Sequence, residues 1–456
     1  MTATAAAPAV TPRTAADLKF AVCEAIDRRA GELTAIAEDI FLHPELGFKE
    51  FRTAKIVSQF FDRVGLPHRD GLAITGVKAT LRGGAGGPTV AVLGELDSLA
   101  VGDHPHADPA TGAAHACGHN AQIAMMLGVA AAFVDAGIAP SLAGNVAFMA
   151  VPAEEYVEIE YRNDLARQGK LEFLGGKPEL IKLGEFDDVD LAMMTHTSAN
   201  KDDGLIGMSD SSNGCIVKLI RYHGKAAHAG GSPHRGINAL NAATLGLQAI
   251  HAQRETFKDA DTVRVHPIIT KGGEIVNVVP ADVRMETFVR GKSIEAITDA
   301  NVKVDRALKA GALAVGGRVV IETLPGYLPL RNDAALGALF LENARALVGE
   351  QNVKQIGHRT GSTDMGDVTH IMPALHPYAG GAEGTGHGND YRIADPTLAI
   401  LNPAKAMAMT VLDLLCGGGA AATQILAETK PRFTKDEYLA FQRKLAETID
   451  FDGATV

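Results

Sequence analysis

The sequence predicts an α/β protein of two units, the second inserted into the first. Three observations carry this. Short β-branched runs alternate with longer helical stretches, the pattern of a sheet flanked by helices. Between about Asp210 and Glu322 the order becomes strand, helix, strand, strand, helix, strand, the ferredoxin-like α+β arrangement. After Asp333 the first pattern resumes. The length of 456 residues also suits more than one core, at roughly 150 residues per domain.

From about Asp17 to Phe61 apolar residues recur at three and four, the helical period, until His43-Pro44-Glu45-Leu46-Gly47 breaks it. Pro88–Leu93 is expected as a strand, Asn120–Ala136 as a helix, and Gly144–Val151 and Val189–His196 as strands. In the inserted stretch Cys215–Tyr222 reads as a strand and Gly236–Gln253 as a helix. Thr262–Thr270 and Ala281–Arg290 read as a strand pair across Gly272-Gly273. Ile294–Ala310 is the second helix and Arg318–Thr323 the closing strand; helices are then expected around Lys405–Cys416 and Lys435–Ile449. The resulting plan has residues 15–209 and 324–456 as one discontinuous domain, 210–323 as the insert and 1–14 as a flexible tail.

A composition of 46% hydrophobic and 21% charged residues excludes a disordered, collagen-like or coiled-coil chain. The 43 basic and 54 acidic residues give −11, so electrostatics offers no attraction to nucleic acid or anionic membrane. Four scattered cysteines (Cys23, Cys117, Cys215, Cys416) make no disulfide framework. The N-terminus lacks the basic start and unbroken apolar run of a signal peptide, since Pro8 and Pro12 interrupt it. The apolar stretch Met125–Val134 falls short of the ~20 residues of a membrane helix. A cytoplasmic protein is expected.

The densest polar signal is Glu95-Leu96-Asp97-Ser98 followed by His115-Ala116-Cys117-Gly118-His119-Asn120. Asp97 follows a buried strand, where α/β sheets place ligands. Cys117 and His119, two apart, can turn a thiolate and an imidazole toward one divalent metal. Another strand ends in Glu154-Glu155; adjacent carboxylates diverge, so one can bind a metal while its neighbour acts as a base. His196 comes at a strand end, and a glycine-rich loop, Gly380–Gly386, delivers His387. Each alone has a plainer reading, as a core histidine or a charged helix start; together they point to a metal site.

These segments carry a resemblance. HACGHN, PAEE at 152–155, MMTHT at 193–197, KAAHAG-GSPHRGINAL at 225–240 and GGEIVNVVPADV at 272–283, leading to VRG, resemble the M20 family of metal-dependent amidohydrolases and peptidases. HPELGF at His43–Phe48 and GSTDMGDV at Gly361–Val368 resemble the branch of amino-acid-conjugate, N-acyl-amino-acid and p-aminobenzoyl-glutamate hydrolases. The match runs from about residue 30 to 415. It implies a metallopeptidase-like catalytic domain, a mixed β-sheet flanked by helices, with the insert as dimerisation domain. It implies Cys117 as the residue replacing a bridging aspartate, with His119, Glu155, His196 and His387 completing the ligands for one or two divalent ions. Manganese or zinc is expected first, with cobalt or nickel also compatible with this donor set. Glu154 is implied as general base and Asp97 as the residue orienting a ligand. His228 is implied as the histidine that reaches a neighbouring subunit's site to stabilise the oxyanion. Asn277, Arg290 and Gly361 are implied as substrate contacts. Asn120 and Glu95 stand where the branch commonly has aspartate, and the charged stretch Tyr156–Lys182 is longer than expected.

The preferred reading is hydrolysis of the amide C–N bond of a small carboxylate-bearing N-acyl or aminobenzoyl amino acid or dipeptide by metal-activated water. Deamination of an activated aromatic amine, releasing ammonia, is the alternative, and a non-catalytic binding subunit is a distant third. The expected partners are a small-molecule carboxylate and a second copy of the chain in at least a homodimer, without nucleic acid or membrane.

Overall fold

The helix Ala15–Arg28 opens with Thr14 and Asp17 in a reciprocal capping box, which satisfies backbone N–H groups at its free end. The computed structural model describes residues 13–455, so residues 1–12 of the expected tail lie outside the described residues. Two more helices follow, Ala30–Phe41 and Phe51–Val64. The predicted break between them is occupied by Glu45, whose carboxylate accepts the Arg52 and Thr53 N–H groups at 3.0 and 2.8 Å. That seats the His43–Phe48 motif under the site, where Ser98 N–H donates to the Glu45 carbonyl at 2.8 Å.

The first sheet has six strands in the order His68–Leu72, Gly76–Arg82, Ala143–Val151, Ala85–Glu95, Leu191–Met193 and Ala374–Leu375. The first two strand pairings are antiparallel and the next three parallel, so the sheet is mixed. Ala85–Glu95, Ala143–Val151 and Leu191–Met193 end on one side, and the polar residues follow these ends. The helix His119–Asp135 packs on Ala85–Glu95 and is buried at every position from His119 to Phe133. An apolar surface all round marks a helix enclosed by others. The Ala15–Arg28, Ala30–Phe41 and Asn402–Leu415 helices enclose it. The long apolar run Thr397–Leu415 is mostly buried in this core.

The second sheet runs Arg264–Val265, Asp282–Gly291, Gly214–His223, Arg318–Pro325 and Glu447–Asp452, with Ile268–Lys271 also on Asp282–Gly291. Its neighbouring strands are antiparallel. The helices Ala239–Gln253 and Ile294–Val315 pack together and on this sheet around a separate core that includes Tyr222, Val283 and Leu308.

Three elements differ from the sequence reading. The Val189–His196 strand splits: Leu191–Met193 stays in the first sheet, and His196–Thr197 joins a four-stranded sheet with Tyr378–Ala379, Ile206–Ser212 and Val353–Arg359. The segment beside it, 374–379, changes sheets in parallel, so the ladder never breaks. Thr262–Thr270 is interrupted at His266-Pro267, where proline offers no N–H. The Lys435–Ile449 helix stops at Leu445, and Glu447–Asp452 becomes an edge strand on Arg318–Pro325. Its alternating exposure follows the period of two of a half-buried strand. Ile206–Ser212 pairs with Val353–Arg359, and after Asn213 the next strand, Gly214–His223, pairs in the second sheet.

Candidate metal centre

The site is assembled where the parallel strands end. After Ala85–Glu95 the chain places Glu95 and Asp97 in the interior, both fully buried. After Ala143–Val151 it bends through Ala153, held at φ 52°, a strained value for a residue with a Cβ. The buried Glu50 carboxylate, also bonded by the Thr75 hydroxyl, accepts the Ala153 N–H at 2.8 Å and pins this bend. Glu154 and Glu155 then point apart. Gly118 starts the His119–Asp135 helix at φ 98°, and a Cβ there would lie 2.0 Å from Thr197 Oγ1. Only glycine permits that turn, which brings Cys117 and His119 to one side. His387, also at positive φ, is tied by its N–H to the Ala116 carbonyl at 2.8 Å.

Cys117, His119 and His196 offer donor atoms within 4.8 Å of one another, and so do Cys117, Glu155 and His387. The two groups share Cys117. Within them Cys117 Sγ lies 3.2 Å from His196 Nε2, and His387 Nε2 lies 3.2 Å from Glu155 Oε1. Asp97 spans both: one oxygen is 3.1 Å from His119 Nδ1, and the other accepts the Glu155 N–H at 2.8 Å. The Asp97 carbonyl also meets His119 Nδ1 at 2.8 Å, which leaves Nε2 facing the cluster. Glu154 Oε2 stands 3.8 Å from that Nε2.

The charges are strongly coupled. Burial and Glu155 push the Cys117 thiol up, but His196 and His119 outweigh them and hold it down to about 6, within reach of the thiolate. Burial would raise Glu155, yet His387 holds it well below the carboxylate range. His387 is raised to about 11, chiefly by Glu155. Burial first, then Glu95, Glu155 and Asp364, push Glu154 well above its ordinary value.

The cluster opens on a cleft of about 640 Å³ lined by Glu154, Glu155, His387, Arg290 and Gly361 among others. Arg290 donates to Ser362 Oγ at 3.0 Å and has no ion-pair partner among the described residues. Tyr156, Phe288 and Tyr327 form an aromatic wall, with the Tyr327 and Phe288 ring centroids 5.3 and 6.2 Å from that of Tyr156. His228 and Asn277 are not brought to this cleft. Both are exposed and lie beside each other on the insert, where Ala229 N–H donates to the Asn277 carbonyl at 2.9 Å.

Sequence reasoning missed the charges beneath the site. Lys177, fully buried, donates to Glu95 Oε1 at 2.5 Å and to Asp364. Burial opposes the ionised Glu95, but Lys177 and His119 hold it down to about 2. Arg162, also fully buried, donates to the carbonyls of Ala153, Leu174 and Glu155, so it braces the bend that aims the two glutamates. The long Tyr156–Lys182 stretch therefore carries two cations inward. His376, buried 5.6 Å from the His196 ring, lines the cleft with both ring nitrogens free of partners among the described residues. Its only sequence signal was its place beside Pro377 at a strand end.

The residues fit a divalent ion. Glu155 Oε1 faces His387 Nε2 at 3.2 Å and His119 Nε2 faces Glu95 Oε2 at 3.1 Å, yet neither Glu155 Oε1 nor His119 Nε2 makes an aligned hydrogen bond among the described residues, an arrangement that leaves their lone pairs available to a cation. Thiolate, imidazole and carboxylate together suit a borderline metal. Such donors at the strand ends of an α/β sheet define a candidate metal-binding site. The sequence pattern of peptidase family M20/M25/M40 matches residues 91–412. The chain belongs to this family and is an enzyme, a metal-dependent amidohydrolase. An Xaa-Arg dipeptidase of Mus musculus is 31% identical over 424 residues, covering 87% of this chain and 89% of the relative. A p-aminobenzoyl-glutamate hydrolase component of Escherichia coli is 30% identical over 313 residues, 66% of this chain and 58% of that one. The crystal structure of a dinuclear metal binding M20 peptidase of Bacillus subtilis superposes with TM-score 0.62 at 21% identity, covering 85% of this chain and 99% of that chain.

Proposed function

We propose that the enzyme hydrolyses the amide C–N bond of a small carboxylate-bearing N-acyl or aminobenzoyl amino acid or dipeptide. The observation that carries this is the pair of donor groups sharing Cys117, with the Glu154 carboxylate beside them in an open cleft. Cys117, His119, Glu155, His196 and His387 would hold one or two divalent ions. A bound ion supplies Lewis acidity and makes water nucleophilic at neutral pH. Glu154, with a raised proton affinity, takes the proton of the attacking water and returns it to the leaving nitrogen. The unpaired Arg290 guanidinium is suited to a substrate carboxylate in a two-pronged contact. The relatives' names support an amino-acid-bearing amide, and the aromatic wall supports an aryl or apolar acyl group.

The test is mass spectrometry of a pool of N-acyl amino acids, aminobenzoyl-glutamate, dipeptides and aminobenzoates, with Glu154→Gln as blank. Glu154→Gln should fold and keep its metal while turnover falls by about 10²–10⁴; near-normal turnover would remove Glu154 from the role of base. An acid and an amine from one amide support the reading. A phenol with ammonia supports aromatic deamination instead, which the same wall would also accommodate.

We further propose that residues 210–323 pair two copies of the chain and that His228 and Asn277 complete the partner's site. Their exposure supports this, as does the neighbouring Val276, 99% exposed. Mixed Glu154→Gln and His228→Ala dimers should regain activity that neither parent has, and no recovery after exchange of protomers would count against sharing.

A further inference from the structure

A cavity of about 530 Å³ continues the cleft over the face of the inserted sheet opposite its two helices; Tyr156, Val157, Phe288 and Arg290 line both. Its floor follows from the strand register. Burial on Asp282–Gly291 alternates with a period of two, so Val283, Met285 and Val289 enter the core while Glu286, Phe288 and Arg290 face the other way. Arg264 lies opposite Arg290, and Ile268 opposite Glu286, in antiparallel pairing, so these residues share one face. His266, midway between Arg264 and Ile268, is in the same lining. The floor thus presents two guanidiniums, then the Phe288 ring, then a carboxylate.

Like charges directly opposite each other on a sheet repel. Yet Arg264 donates only to the Val263 carbonyl at 3.1 Å and Arg290 to Ser362 Oγ at 3.0 Å, and neither meets a carboxylate among the described residues. At the far end the facing wall supplies Glu158, but Lys49 holds that carboxylate at 2.7 Å. Glu286 is half-buried and meets no cation or hydrogen-bond donor among the described residues, and its oxygens are not sealed from solvent. Burial first, then Glu160, pushes its carboxyl above the ordinary value, a shift that a cation would reverse. Glu160 itself turns to Arg284 at 3.4 Å. Arg290 and Glu286 stand four residues apart, roughly 13 Å along the strand. The Arg290 guanidinium leans back over the Phe288 ring, 5.0 Å from its centre, and shortens that span.

We propose that this cavity selects, among the amides named above, those whose amino-acid part ends in an amine or a guanidinium. The carboxylate of that part sits between Arg290 and Arg264, its methylene stem lies along Phe288, and its cation meets Glu286. A stem of lysine or arginine length closes the span. The selection rests on the amide reading, so binding is measured apart from turnover. Titration calorimetry of the metal-loaded full chain carrying Glu154→Gln, with Nα-benzoyl-lysine, N-benzoyl-norleucine and N-benzoyl-glutamate, tests it. The lysine compound should bind about tenfold or more tightly than either of the others, since it alone brings a charged donor to Glu286. Adding Glu286→Gln should bring it down to the norleucine level, and Glu286→Lys should turn the preference toward glutamate. Equal binding of the lysine and norleucine compounds overturns the proposal. So does a preference that Glu286→Gln leaves intact, or an absence of saturable binding by the lysine compound. Hydrolysis by the parent decides the amide reading separately: selective binding without cleavage of any of the three keeps the pocket and loses the reaction, and cleavage without preference does the reverse.

Discussion

Lys177 is the residue on which the interior charges depend. It is the cation bonded to both Glu95 and Asp364, and all three side chains are fully buried. Removing one partner of such a group leaves charge without compensation, typically at about 3–5 kcal/mol. Lys177→Met should therefore lower the thermal unfolding midpoint markedly; an unchanged midpoint would show that Lys177 carries no net stabilisation. Cys117, His119, Glu155, His196 and His387, which the fold brings together, stood out in the sequence only as a set, since each alone has a plainer reading. Lys177 did not stand out, because its partners are far away in the chain and a charged stretch does not disclose which side chains turn inward. His228 and Asn277 show the converse: their segments were readable, but one chain's fold leaves them away from its own cleft.

Among the elements, the turn Cys117-Gly118-His119 has the least freedom. Alanine at 118 would need φ 98° and would meet Thr197 Oγ1 at 2.0 Å and Tyr391 Oη at 2.9 Å. Either the helix start or the His196–Thr197 strand must shift, and both carry residues of the proposed metal site. Gly118→Ala should keep most helical circular dichroism while metal affinity, measured by chelator competition, falls about 10–100-fold, as when ligand-orienting contacts are lost. Unchanged affinity would place the donors elsewhere. Strand and helix cores were well marked by apolar periodicity. Their ends were less so: Leu191–Met193 and His196–Thr197 form one apolar run whose division between sheets depends on the partner segment 374–379. A six-residue strand following a helix, Glu447–Asp452, was masked by the helical pattern ahead of it.

At the scale of the whole molecule, buried histidines contribute stability that mild acid removes, against buried carboxylates that act in the opposite sense, among them Glu50, raised to about 7, and Asp364, raised to about 6, both chiefly by burial. His370 is buried, donates through Nε2 to the Pro329 carbonyl at 2.9 Å, and is lowered to about 4 by burial. His115 and His376 are lowered to about 3, also by burial. A histidine depressed in the folded state is protonated first in the unfolded chain. Its stabilisation is present above the unfolded value near 6.5 and is lost as pH falls through the folded one. The slope approaches about 1.4 kcal/mol per pH unit for each such group. The melting temperature of the parent relative to that of His370→Gln should therefore decline as pH falls across this window; a difference that stays constant would show that His370 carries no such linkage. His370 also tethers the chain's end, since the Phe433 N–H donates to its carbonyl at 3.0 Å. Beyond it the Lys435–Leu445 helix is locked into the first unit by Tyr438, whose hydroxyl donates to Asp367 at 2.9 Å. The next strand then borders the inserted sheet. The chain thus passes into or out of that sheet three times, near Asn213, Gly326 and Ala446. The third passage stitches the end of the second sheet to the helix that Tyr438 anchors, so cutting the chain after Leu445 would remove an edge strand from one sheet without touching the other.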